Sequence, residues 1–263
     1  MNPAESGRRI LCGFWASPFL SVAAQFLLEA DLPFEYLRVS PFIGEVHAEA
    51  HKARNPLGKI PTLIEPDGTV VSESQAIGRY LARSYTSARH LYPCDDPKLC
   101  ARVDALNDFY TFAVSGPFFN MLVVGGYFPG PLGLRCEAES SVFSKLSLMR
   151  IKEGLHRIMA TSRLSPYLLG SEPRMPDYQL YQLLEAGEVF GRMLDMPGLD
   201  VASADERLIQ YREMMRRRGS SQEISRRREA EIALTRQEIF GRFPEIRAPG
   251  ARKALMSVLG REV

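Results

Sequence analysis

The block NPLGKIPTLIEPDGTVVSES, residues 55–74, constrains this chain more than any other stretch. Two short β-rich runs, Thr62-Leu63-Ile64 and Thr69-Val70-Val71, flank Pro66-Asp67-Gly68. Proline's fixed φ, aspartate's bonding to its own backbone and glycine's freedom make that tripeptide a reversal. The block therefore reads as a hairpin feeding directly into a helix from Glu73, with Ala76, Ile77, Tyr80 and Leu81 on one side. Upstream, residues 9–14 form a strand-sized apolar run. Val22, Ala23, Phe26, Leu27 and Ala30 then recur at helical spacing. Ser17 suits the cap and Pro18 the first turn of that helix, which must end before Pro33. FEYLRVS follows as a second strand, and strand, helix, strand predicts a parallel unit. A weak helix over 47–54 completes a compact α/β domain.

Strand-like alternation stops after this domain. SYTSARHLYPCDDPK is polar and proline-bearing, as a linker should be, and helical patterns follow at about 99–121, 141–159, 177–194, 204–217 and 221–240. The domains are placed at 1–86, with a linker at 87–98 and a helical domain carrying a basic extension at 99–263. Residues 112–130 are the most membrane-like, but Gly116, Pro117, Asn120, Gly125 and Gly126 interrupt them, which predicts a buried, bent helix and no transmembrane segment. The N-terminus pairs two arginines with only a brief apolar run, which argues against a secretory signal. A net charge of +2 over 263 residues gives no ground for nucleic-acid binding. Cys12, Cys94, Cys100 and Cys136 form neither a disulfide framework nor a metal cluster, so no metal is implied and reduced, cytoplasmic thiols are the simplest reading.

Three places can carry chemistry, each with an ordinary structural role beside it. Pro61 can simply remove a donor at a strand edge. If its peptide bond is cis, it exposes the Ile60 backbone to an extended peptide that pairs like another strand. Glu73 and Ser74 can cap a helix, or they can hold a zwitterion, with amides and hydroxyl on its carboxylate and Glu73 on its ammonium. Ser17 can cap its own helix, or it can direct its hydroxyl at a thiolate brought by the ligand. The segment REMMRRRGSSQEISRRRE reads as a solvated helical face around a loop, with an acidic or membrane partner as the alternative.

Together, SPFLSVAAQFLLEADLPFEY, NPLGKIPTLIEPDGTVVSESQAIGRYLA and LLGSEPRMPDYQLYQLLEAG resemble the cytosolic glutathione transferase superfamily, well over the first domain and loosely to about Phe190. The resemblance implies a thioredoxin-like N-terminal domain followed by an all-α C-terminal domain, and a detoxifying enzyme that conjugates glutathione to small apolar electrophiles. A non-catalytic ligand-binding or protein-interaction module is the alternative. It further implies that Ile60 and Pro61 clamp the cysteinyl backbone, that Glu73 and Ser74 hold the γ-glutamyl end, and that Lys59 approaches the glycyl carboxylate, with Asn55 a second candidate for that contact. By the same resemblance Ser17 is the catalytic hydroxyl, because Phe14 stands where other classes place tyrosine; Ser21 lies one turn on. Asp104 resembles an acid that reaches glutathione across a homodimer. Asp177 resembles a helix-capping aspartate, with Arg174 where serine or threonine is usual, so its capping box is incomplete. Tyr110, Phe112, Phe118, Phe119 and Met121 are candidates for the second-substrate wall.

Overall fold

The computed structural model describes residues 8–123, 137–162, 165–194 and 197–242. Its first part alternates β1 (Ile10–Gly13), α1 (Pro18–Glu29), β2 (Glu35–Arg38), α2 (Glu49–Lys52), β3 (Thr62–Ile64), β4 (Val70–Ser72) and α3 (Ser74–Ser84). The strands form one sheet in the order β2-β1-β3-β4. β1 pairs parallel with β2 and antiparallel with β3, and β3 pairs antiparallel with β4. This is a thioredoxin-like domain. The sheet's period of two divides its side chains cleanly. Leu11 and Leu63 join the main core, while Ile10, Cys12 and Ile64 pack with Val39 and Val46 on the other face. The helix expected over 47–54 is shorter: extended Ala48 separates a 3-10 turn, Glu45–His47, from the single turn of α2.

The second part is helical: α4 (Pro97–Tyr110), α5 (Gly116–Val123), α6 (Glu137–Thr161), α7 (Met175–Leu194), α8 (Glu206–Arg216) and α9 (Gly219–Arg242). The bend expected near Gly116 and Pro117 is a π-helical segment, Thr111–Ser115, joining α4 to α5. A proline cannot donate back along the helix and its ring crowds the preceding turn, so the ladder re-registers there. Gly154 of α6 lies against that segment, where an added Cβ would stand 2.8 Å from the Ala113 carbonyl oxygen.

α1 is the junction between the two parts. Leu20, Phe26 and Leu27 are fully buried, and Phe26 meets Tyr178 of α7 edge to face with ring centroids 5.9 Å apart. Burying such a side chain contributes about 1.5–3 kcal/mol. Asp177 is also fully buried, its carboxylate accepting from the Leu168 N–H at 2.8 Å, the Arg174 N–H at 2.9 Å and the Tyr211 hydroxyl at 2.7 Å. The backbone half of the capping box therefore forms without a residue-174 hydroxyl, and Tyr211 supplies a further donor. Burial nonetheless raises the Asp177 pKa. Among the described residues, no helix is long and apolar enough to cross a membrane.

Candidate functional site

Sheet register brings three sequence-distant segments to one edge. Cys12 pairs with Thr62, and Thr62 with Ser72. At ordinary strand spacing this row spans about 10 Å. Continuing past it, β1 leads into Ser17, β3 is approached through Ile60 and Pro61, and β4 leaves through Glu73 and Ser74. The hairpin and the parallel unit together create this convergence.

The Ile60–Pro61 peptide is cis. The β3 pairings begin at Thr62, so Ile60 stands outside the ladder. The preceding carbonyl is fixed from behind: His51 Nε2 and Asn55 Nδ2 each lie 2.9 Å from the Lys59 oxygen. Asn55 Nδ2 also donates to Thr62 Oγ1 at 3.3 Å, while its Oδ1 accepts from the Leu57 N–H at 3.2 Å. Asn55 is buried and its polar atoms are engaged by this loop, so it braces the Lys59–Ile60 backbone and does not face outward. The Lys59 side chain is exposed beside it.

Glu73 stands at the cap position of α3 with φ 70° and ψ 122°, and makes no side-chain capping bond. Positive φ in a non-glycine L-residue costs on the order of 1–3 kcal/mol and is concentrated at functional sites. Its carboxylate is exposed and makes no capping bond, which leaves the first-turn N–H groups without a side-chain cap. Those donors, with Ser74 at the first position of α3, can take a carboxylate.

Ser17 has an extended backbone and caps α1, its Oγ accepting from the Leu20 N–H at 3.4 Å. Pro18 follows at the first helical position. Capping uses a hydroxyl lone pair and leaves the proton available, so the hydroxyl can donate to an anion while capping the helix. Phe19, next on α1, stacks on Phe119 of α5 with centroids 4.6 Å apart, which sets an apolar wall beside the serine. The other aromatic candidates separate. Tyr110 and Phe118 are core residues, Tyr110 donating to the Gln179 carbonyl at 2.8 Å, whereas Phe112 is 81% exposed. The Met121 side chain lies outside the described residues. A cavity of about 610 Å³ lined by Glu29, Arg217, Arg218 and Tyr167 is at the opposite end of α1.

Asp104 is engaged within its own chain. Arg79 reaches Oδ1 through Nε at 3.1 Å and a terminal nitrogen at 2.9 Å, and the Tyr92 hydroxyl donates to Oδ2 at 2.7 Å. Burial first, then this carboxylate, pushes the Tyr92 pKa up to about 12. Asp104 therefore ties α3 and the linker to α4.

Arg217 and Arg226 of the arginine-rich segment lie exposed as a solvated face should, but its other arginines are corrected to a set of fasteners. Arg212 bonds Asp200 at 2.7 Å, Arg216 bonds Glu185 at 2.7 Å, and Arg218 bonds Glu29 of α1 at 2.8 Å. Arg228 is only 4% exposed. Glu231 and Glu238 of α9 also converge on Arg38 at the end of β2, the latter at 2.7 Å. No residue near these carboxylates in sequence announces such partners, because they lie in the first domain.

Residues 11–89 match the sequence model of the glutathione S-transferase N-terminal domain. The first part of the chain is thus similar to glutathione S-transferase N-terminal domains. Over 79 residues it is 39% identical to glutathione S-transferase hmp2 of Hypomyces subiculosus, covering 30% of this chain and 37% of that one. Over 79 residues it is 42% identical to glutathione S-transferase theta-1 of Bos taurus, covering 30% and 32% respectively. The chain thus spans about a third of the length of these curated relatives. Structural likeness extends much further. Human glutathione transferase theta-2, solved in complex with glutathione, superposes with a TM-score of 0.70 at 20% identity, over 96% of this chain and 99% of the other. Poplar glutathione transferase F1 gives 0.69 at 16% identity, over 85% and 99%. At those identities the likeness establishes the fold of the helical part.

Proposed function

We propose that this protein binds glutathione at the sheet edge and conjugates it, through its thiol sulfur, to small apolar electrophiles. The observation carrying the reading is the convergence of a cis Ile60–Pro61 edge, an uncapped α3 N-terminus and the Ser17 hydroxyl. Ile60 pairs with the cysteinyl backbone of the tripeptide. The α3 amides and Ser74 take the γ-glutamyl carboxylate, Glu73 takes its ammonium, and Lys59 approaches the glycyl carboxylate. Those contacts hold the cysteinyl sulfur near Ser17, where the donated hydroxyl proton and the α1 N-terminus favour thiolate over thiol. The thiol proton passes to solvent and a sulfur lone pair forms the carbon–sulfur bond; at an aryl halide the halide departs with its bonding electrons, and at a conjugated enone the displaced π pair takes up a proton from solvent. Phe19 and Phe119 present an apolar surface to the electrophile, and positioning supplies much of the rate. The names of the relatives, and the glutathione in the human theta-2 crystal structure, support the choice of tripeptide.

A homodimer belongs to the same reading, supported by Phe112, Leu146 and Met149 at 81%, 56% and 66% exposure on the helical part. Calorimetry with glutathione, followed by turnover with aryl halides, conjugated enones and a peroxide, tests the function. Saturable binding with turnover of one class is the expected result. Binding without turnover across the panel overturns transfer, and absent binding overturns the site.

A further inference from the structure

Trp15 stands two residues before Ser17, and α9 holds both polar groups of its backbone. Its N–H donates to Glu231 Oε2 at 3.4 Å, and its carbonyl accepts from Arg228 Nε at 3.3 Å. The Ser21 hydroxyl donates to the same carbonyl at 3.3 Å and itself receives an Arg228 hydrogen bond at 3.0 Å. Arg227 adds its guanidinium over the indole, 5.4 Å from the ring centroid.

Arg228 in turn is fixed from the helical side. It donates to Gln182 Oε1 at 2.7 Å and lies 3.6 Å from the Glu185 carboxylate. Gln182 donates to Gln25 at 2.7 Å, and Gln25 donates to Ser221 at 2.9 Å, closing a polar circuit through α7, α1 and α9. Further along α9, Glu238 accepts from the Ser40 hydroxyl at 2.7 Å, just beyond β2. A buried guanidinium is tolerable only while its partners are present, so this circuit has one arrangement when α9 is docked.

We propose that Arg228 and Glu231 are positioning residues for Ser17, so that docking of α9 sets the activating hydroxyl through the Trp15 peptide. The proposal rests on the reading of Ser17 as that hydroxyl. Neither residue touches the thiol; they fix the turn from which α1 and its capping serine start. Losing them lets the turn relax while the Ile60 and Glu73 contacts remain, so turnover suffers more than glutathione affinity.

Trp15 is the single tryptophan of the chain, which makes its emission a direct report on this turn. The test compares the parent protein with Arg228→Met, Glu231→Ala, Glu231→Gln, Ser17→Ala and, as a control on α8, Arg207→Gln. Circular dichroism verifies folding; should Arg228→Met fail to fold, the Glu231 pair decides. The expected result for Arg228→Met and Glu231→Ala has three parts. Indole emission shifts to the red with greater acrylamide quenching. The bound thiol titrates at higher pH. kcat falls about 10-fold or more while the glutathione KM moves less than about 3-fold. Glu231→Gln, which keeps an acceptor, restores most of the loss, and Arg207→Gln behaves as the parent. Unmoved emission in both variants overturns the clamp. Moved emission with the parent's thiol titration and kcat overturns positioning. If Ser17→Ala shifts the thiol titration and the α9 variants do not, this proposal fails alone. If Ser17→Ala leaves it unshifted, the serine assignment fails and takes the proposal with it.

Discussion

Asn55 offers the sharpest separation between a residue that braces the site and one that touches the ligand. Its amide donates to the Lys59 carbonyl at 2.9 Å and to Thr62 Oγ1 at 3.3 Å, and its oxygen accepts from the Leu57 N–H at 3.2 Å. Replacing it with alanine removes one good hydrogen bond and two longer, weaker ones. At about 0.5–1.5 kcal/mol net for the short bond and about 0.5 kcal/mol for each longer one, that is a loss of about 1.5–2.5 kcal/mol. The Lys59 oxygen keeps His51 at 2.9 Å, so the loop is weakened but not released. Asn55→Asp is worse. It sets a carboxylate oxygen where the amide donated, against a carbonyl in a site only 2% exposed, and the cost rises to about 3 kcal/mol or more. Urea unfolding followed by circular dichroism gives the stabilities, and calorimetry gives glutathione affinity on the same samples. The expected order of stability is parent, then Asn55→Ala, then Asn55→Asp, with affinity falling in step. An aspartate variant as stable as the parent refutes the bracing geometry. An alanine variant of parental stability with weak binding would instead make Asn55 a direct ligand contact.

Glu29 links α1 to α9 through Arg218 and Ser220, and although burial opposes ionisation these partners lower its pKa. Its contribution is therefore fully present above the ordinary carboxylate pKa of about 4.3 and lost as pH falls through the folded value. Stability against pH should drop more steeply below that point in the parent than in Glu29→Gln; parallel curves would exclude the link. For the Arg79–Asp104 pair, whose side chains are 27% and 34% exposed, Arg79→Gln and Asp104→Asn should each cost about 1 kcal/mol and be less than additive together. Glutathione affinity should stay within about 2-fold, and a large loss confined to Asp104→Asn would return it to the ligand site. Among the described thiols, burial pushes the Cys12 pKa up to about 11 while Cys94 is exposed, so iodoacetamide near neutral pH should modify Cys94 and spare Cys12 until urea is added. Early labelling of Cys12 would contradict the packing of β1.

The parts of this fold legible in sequence are those set by local chemistry. Ser17-Pro18 marks the start of α1 and Pro66-Asp67-Gly68 the hairpin, because each acts on its own backbone, whereas Pro61 left cis and trans both open until the structure showed the cis bond. The convergence of Ser17, Ile60 and Glu73 was legible only through resemblance; strand periodicity alone does not say that Cys12, Thr62 and Ser72 fall in one row. Gly116 and Pro117 announced a bend but not its π-helical form, nor that Gly154, far off in sequence, would pack against it. Least legible were the arginines. Arg218 and Arg228 sit among polar neighbours that read as a solvated face, and their partners Glu29, Trp15 and Gln182 lie far away in sequence. A positive φ at Glu73 has no sequence signature either, since glutamate ordinarily avoids it.

The central claim, that this sheet edge holds glutathione as a thiolate beside Ser17, is tested most directly by titrating the ultraviolet absorbance of the bound thiol against pH. In the parent complex the thiol should ionise well below the free-cysteine value of about 8.5, and Ser17→Ala should move it back toward that value with binding largely retained. A bound thiol that titrates like free glutathione in both proteins would contradict the claim.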